Sequence, residues 1–210
     1  MKRIFITGIG TDIGKTVASA VVVEALQADY WKPVQSGGLD YSDTRRVRDL
    51  VSNPKSVFHP EAYVLQQPLS PHAAAAAEGR QIDLDTIRVP ETDNRLVIEG
   101  AGGLMVPLND TTLILDLIKK VEAVCILVSR NYLGSINHTL LTYAVMQANQ
   151  IPVAGILFNG TETPSSEQYI AQYTGAPILG RIAQADVIDK SFVKKHAEAL
   201  RKRMQQLKYI

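Results

Sequence analysis

The 210-residue chain is predicted to fold as one α/β domain, residues 1–210, with a mostly parallel, doubly wound sheet and helices on both faces. Two patterns support this. Short apolar runs of strand length alternate with longer segments of helical period. Glycine-rich or polar loops follow the apolar runs, as they do where strands of an open parallel sheet hand over to helices.

The expected strands are Arg3–Thr7, Tyr30–Pro33, Arg95–Glu99, Ala123–Ser129, Val153–Asn159 and Ile178–Ile182. Expected helices occupy Lys15–Ala28, Asp43–Val51, Pro71–Gly79, Ile114–Val121, Ser135–Asn149, Ser165–Tyr173 and Ser191–Leu207. Leu69-Ser70-Pro71-His72 opens one of them with a serine cap and a proline in the first turn. The alanine run 73–77 is a good helix former, and there is no internal repeat.

Composition narrows the function. With 46% hydrophobic residues the chain can bury a sizeable core, and 22 basic residues against 21 acidic ones leave no uniform field for gripping nucleic acid. A small-molecule substrate is expected, with no nucleic-acid or membrane partner. The N-terminal apolar run is too short for a signal-peptide core and no stretch reaches membrane-spanning length, so cytoplasmic residence is the default expectation. Cys125, the sole cysteine, sits in the run Val124–Val128 and is expected to be a small buried hydrophobe.

Ligands of such sheets lie over the carboxyl ends of the strands, so chemistry is sought in the loops Gly8–Thr16, Pro33–Asp43, Glu99–Pro107, Arg130–Asn137, Asn159–Thr163 and Ala183–Asp186. The first reads Gly8-Ile9-Gly10-Thr11-Asp12-Ile13-Gly14-Lys15-Thr16, between a strand and a helix. It is a variant Walker A loop, with Gly8 and Gly10 flanking the position where the strict pattern has its first glycine. Its backbone and helix N-terminus would wrap phosphates, Lys15 would neutralise the outer ones, and the Thr16 hydroxyl would hold magnesium. A ligand-free glycine turn is the alternative, and the consecutive Gly14-Lys15-Thr16 at a helix start argues against it.

Lys32-Pro33-Val34-Gln35-Ser36-Gly37 follows the second strand, then Asp43, and later come Glu99-Gly100-Ala101-Gly102-Gly103 and Leu133-Gly134-Ser135-Ile136-Asn137-His138. In this order, on a chain this short, these motifs resemble the dethiobiotin synthetase family from Gly8 to about Asp186. The resemblance implies a P-loop fold and an ATP-dependent, magnesium-dependent ligase of biotin biosynthesis. Carbon dioxide would add to 7,8-diaminopelargonic acid as a carbamate, the carbamate would take the γ-phosphate, and the second amine would close the ureido ring. ADP and phosphate would leave.

The residue types suit that chemistry. A carbamate and a triphosphate repel each other, so fixed cations are needed where they meet, and Lys15 and Lys32 plus magnesium supply them. Thr16, Asp43 and Glu99 are oxygen donors suited to a hard cation. Glu99, ending an apolar strand, is costly to bury unless paired or metal-bound. Lys32 would otherwise read as a solvated strand-end lysine, and Asp43 as a helix-capping acid.

By resemblance, Lys32 and Lys15 act in catalysis. Asp12, Ile13, Gly14, Lys15, Thr16, Val17, Asp43, Glu99, Gly100, Ala101 and Gly102 hold nucleotide and metal. Asn159, Gly160, Ala183, Gln184 and Ala185 lie at the base, where Ala183–Ala185 replaces a proline common in the family. Thr11, Ser36, Ser70 and Pro71 contact the diamine, and its carboxylate meets Ser135, Asn137 and Tyr169 across a homodimer interface. His138 is expected to be structural.

Two rivals share the fold. A partition-type switch ATPase carries a signature lysine early in the loop, where this chain has Gly10, although the basic helix Ser191–Leu207 could suit a membrane. A cobyrinate-type amidating synthetase needs a nucleophilic cysteine and a second domain. A non-enzymatic nucleotide-binding adaptor is the remaining class.

Overall fold

A computed structural model describes residues 1–210. Seven strands form one sheet in the order β4-β2-β6-β1-β7-β8-β9, every pairing parallel: β1 is Arg3–Gly8, β2 Asp29–Trp31, β4 Phe58–His59, β6 Leu96–Glu99, β7 Val124–Arg130, β8 Val153–Asn159 and β9 Ile178–Ile182. Two further strands, β3 (Val34–Ser36) and β5 (Tyr63–Leu65), pair in parallel beside it. The helices are α1 (Lys15–Leu26), α2 (Asp43–Leu50), α3 (Pro71–Ala77), α4 (Ile114–Lys120), α5 (Ser135–Ala148), α6 (Pro164–Thr174) and α7 (Lys190–Gln206).

The apolar runs read as strands because they are buried on both sides. Ile4, Ile6, Val97, Ile126 and Val128 belong to one core with α1 and α7. Phe5, Leu96, Ile98, Cys125 and Leu127 belong to the other, with α3 and α4. That is the period of two expected of a strand sandwiched between helical layers. α1 is apolar nearly all round because the sheet, α2 and α7 cover it. It ends at Leu26, two residues before the expected stop, where Gln27 turns left-handed and its N–H caps the Val23 carbonyl.

The expected strand Tyr30–Pro33 is corrected: the ladder stops at Trp31. Pro33 has no N–H to continue it, and its carbonyl instead accepts the N–H groups of Ala62 and Tyr63. The chain then resumes as β3 against β5. Neither β4 nor β5 was legible, being only two and three residues long. The basic C-terminal helix docks on its own chain, burying Val193, Ala197, Leu200 and Met204 against the α1 side of the sheet. No helix is long and apolar enough to cross a membrane.

The strand order reverses at β1, whose neighbours β6 and β7 come later in the chain on opposite sides. The crevice above the carboxyl end of β1 is therefore the place for a ligand.

Candidate active site

The loop after β1 is shaped by two glycines. A Cβ at Gly8 would lie 2.2 Å from the Ile13 side chain, and Gly14, at φ 89°, would drive one to 2.0 Å from the Asn159 amide. At Gly10 nothing lies within 4 Å, so the fold itself makes no demand for glycine there. The Lys15 ammonium folds back onto the Gly10 carbonyl at 2.7 Å. Burial, with the like charge of Lys32 adding, outweighs the attraction of Glu99 and Asp43 and lowers the Lys15 pKa from 10.5 to about 8.

Beside it the register Trp31↔Ile98 sets Lys32 next to Glu99 at the ends of β2 and β6. The Lys32 ammonium, its side chain only 5% exposed, lies 3.1 Å from Glu99 Oε1 and 2.7 Å from Asp43 Oδ2. The Thr16 hydroxyl lies 3.1 Å from Asp43 Oδ1 and 3.0 Å from Glu99 Oε1. Four side chains from four separate segments thus meet around one small volume. Burial opposes charge on Lys32, but the two carboxylates outweigh it and raise its pKa; the same exchange outweighs burial of Asp43 and holds that carboxyl low.

Two supporting residues escaped the sequence reading. Gln35, an unassigned position inside the Lys32–Gly37 motif, is buried; its Oε1 accepts the Asp43 N–H at 3.2 Å and its Nε2 donates to the Gly37 carbonyl at 2.9 Å. Tyr30, one of the apolar strand residues, donates its hydroxyl to Glu99 Oε2 at 2.9 Å. Burial foremost, then the charge of Glu99, pushes that phenol well up, so it remains a donor. No local signal marks either role, because each depends on a partner brought by the fold.

A cleft of about 660 Å³ opens over this cluster, a size suited to a nucleotide's phosphates and a small acceptor. Thr11, Asp12, Gly14, Lys15, Thr16, Val17, Lys32, Ser36, Asp43, Ser70, Pro71, Glu99, Ala101 and Gly102 all line it. Sequence reading did not single out Tyr41 and Arg46, which stand at the same cleft with the guanidinium 5.4 Å from the Tyr41 ring. The Ser36 hydroxyl is buried without a partner. Ser70 holds the expected N-cap position of α3 ahead of Pro71, but its hydroxyl makes no capping hydrogen bond and turns instead to His72 Nδ1, 3.1 Å away.

Other expected residues lie outside the cleft lining. Gly100 has a packing reason, since a Cβ there would press on the Phe5 ring at 2.8 Å. Asn159 donates Nδ2 to the Ile13 carbonyl at 2.8 Å and so braces the glycine-rich loop after β1. The Gly160 N–H is bound to the Ile182 carbonyl, and Gln184, between Ala183 and Ala185, accepts from Thr161 at 2.7 Å. Ser135 is buried at the start of α5, Asn137 is exposed, and Tyr169 stacks on Tyr173 with ring centres 6.1 Å apart. His138 meets the Tyr132 hydroxyl at 2.7 Å. Cys125 is buried, which pushes its thiol well up and leaves it inert.

A family model described as an AAA domain matches residues 2–191. The chain is 52% identical to the ATP-dependent dethiobiotin synthetase BioD of Christiangramia forsetii, over 98% of this chain and 99% of that protein. It is 50% identical to the enzyme of the same name from Cytophaga hutchinsonii, over 95% and 97% respectively. Among solved structures, the septum site-determining protein MinD of Pyrococcus horikoshii, complexed with Mg-ADP, matches at TM-score 0.61 over 98% of this chain and 95% of that one. A ParA family ATPase from Chlorobium tepidum matches at 0.58 over 100% and 95%. Both structures are 14% identical to the chain and share its fold alone. The nearly full-length match to relatives of one name, at half or more of the aligned positions, places the chain in the ATP-dependent dethiobiotin synthetase family.

Proposed function

We propose that the protein closes the ureido ring of dethiobiotin from 7,8-diaminopelargonic acid, carbon dioxide and ATP in the cytoplasm, the whole chain acting as one catalytic domain. The observation that carries this reading is the second buried lysine. Lys32 stands among the phosphate-loop lysine, Thr16 and two carboxylates, at the floor of a cleft roomy enough for an acceptor. A switch ATPase that merely hydrolyses ATP has no use for a cleft continuing past Ser36 to Ser70 and Pro71.

Thr16, Asp43 and Glu99 suit magnesium. Their oxygens converge on one point, and the Lys32 ammonium now bridges the carboxylates there as a cation would. Two carboxylates and a hydroxyl make an incomplete cage, which fits an ion that keeps waters and phosphate oxygens as its other ligands. When bound, magnesium would neutralise developing charge on the phosphates. The backbone of residues 12–17 would cradle the phosphates and Lys15 would leave Gly10 for them. Lys32 would face the carbamate and the transferring phosphoryl group, so that two like-charged reactants are held together by fixed cations. Ser36, with its unpartnered hydroxyl, and Thr11 would orient the amine end of the substrate.

Release of ADP should require diamine, bicarbonate and magnesium together, because the phosphate acceptor must first form as a carbamate. Equal hydrolysis with and without the diamine would refute the assignment and favour a switching ATPase.

We further propose a homodimer built on α5 and α6. Leu141, Tyr169 and Tyr173 are exposed there, Leu133 just ahead of α5 is exposed completely, and Asn137 and Tyr169 do not line the site cleft of their own chain. A partner's cleft would receive them. Ile136 and Tyr143, by contrast, pack inward on the core.

A further inference from the structure

We infer that Tyr30 is a positioning residue for the metal corner: its buried hydroxyl fixes the Glu99 carboxylate so that Oε1 is the oxygen presented to a divalent cation. This rests on the reading of Thr16, Asp43 and Glu99 as magnesium donors. Glu99 is 1% exposed and has three donors, which divide between its two oxygens: Thr16 at 3.0 Å and Lys32 at 3.1 Å use Oε1, while Tyr30 at 2.9 Å has Oε2 to itself. A carboxylate turns about its last bond at little cost, and a third donor on the far oxygen removes that freedom.

Tyr30 can do this because it is itself immobile. Its residue is 0% exposed, its ring lies 6.0 Å from that of Phe58, and β2 is tied by register to both β4 and β6. Tyr30 belongs to the α1-side core together with Ile6, Val97 and Ile126, so the pairing of its hydroxyl with Glu99 also satisfies a buried donor. A phenylalanine would fill the same volume, leave Oε2 buried without a partner, and free the carboxylate to turn, so that Oε1 is no longer held in place beside Thr16 and Asp43.

The test compares wild type and Tyr30→Phe by electron paramagnetic resonance titration of Mn2+ at saturating ADP, with ADP affinity in EDTA measured by calorimetry. The expected result is about a tenfold loss of Mn2+ affinity in Tyr30→Phe, with ADP affinity in EDTA within about twofold of wild type, the scale of one buried hydrogen bond. Equal Mn2+ affinity in the two proteins would overturn the inference, as would an equal loss of ADP affinity without metal, which would mean general collapse of the site. Tyr30→Met, also without a donor, must show the same selective loss. If neither variant folds, Tyr30 holds the core and not the metal corner, and the inference fails. Wild-type protein that takes up no Mn2+ beside ADP would instead refute the magnesium reading itself.

Discussion

Replacing Lys32 with methionine keeps most of the stem and removes only the charge and its hydrogen bonds. The ammonium is the sole side-chain cation within 3.1 Å of both Asp43 and Glu99, and its side chain is 5% exposed. Without it, two carboxylates share the Thr16 hydroxyl in a buried corner. Breaking a buried pair on one side costs about 3–5 kcal/mol, against a total stability of about 5–15 kcal/mol for a domain. Urea unfolding at pH 7 in EDTA should therefore show Lys32→Met weakened by about that amount. Saturating Mg2+ should recover much of the loss, because the ion can take the vacated position, and Glu99→Gln in the same background should recover it without metal. The Lys32 pKa is raised, so the wild-type advantage is fully present below the ordinary lysine range and disappears as pH rises through the folded value. It also fades at acid pH, as Asp43, held low in the folded state, takes up its proton. Turnover should vanish while ATP still binds. A loss below about 1 kcal/mol in EDTA would show that the ammonium does not balance these carboxylates, and the reasoning about the corner would fall.

Lys15→Met should abolish tight ATP binding yet stabilise the nucleotide-free protein by ~3 kcal/mol at pH 7, since each unit between 10.5 and about 8 corresponds to about 1.4 kcal/mol of cost for burying the charge. That gain should shrink as pH rises from 8 and be absent above 10.5, where lysine is neutral in both states; unfolding curves across that range in EDTA check it. Burial alone would push the Asp29 carboxyl up, but hydrogen bonds from Thr92, the Val57 N–H, Asn94 and His59 outweigh it and hold the group low. Asp29→Asn should accordingly be less stable than wild type above the ordinary aspartate range, with the difference starting to shrink as pH falls through that range and closing only below the lowered folded value, read by urea midpoints over a descending pH series from about 6. If the dimer shares its sites, inactive Lys32→Ala mixed with inactive Asn137→Ala should regain activity, since one hybrid site carries both residues. Mixed proteins that exchange subunits and stay inactive would refute the shared site.

What the sequence determined by itself lies in contiguous stretches. Strand–turn–helix around Gly14-Lys15-Thr16, the acid ending the apolar run at Glu99, and the Lys32–Gly37 motif were legible because period, burial and glycine placement are local. So was the membership of a family, which depends on the order of such motifs along the chain. Convergence was decided by the tertiary structure. The register Trp31↔Ile98 makes Lys32 a neighbour of a residue 67 positions away, and only that register shows its ammonium bridging Asp43 and Glu99. The break at Pro33, the two short strands β4 and β5, the bracing of Asp43 by Gln35 and the hold of Tyr30 on Glu99 had no local signal. A strand of two or three residues lacks a period to read, and a tyrosine in an apolar run looks like core until the fold supplies a carboxylate for its hydroxyl.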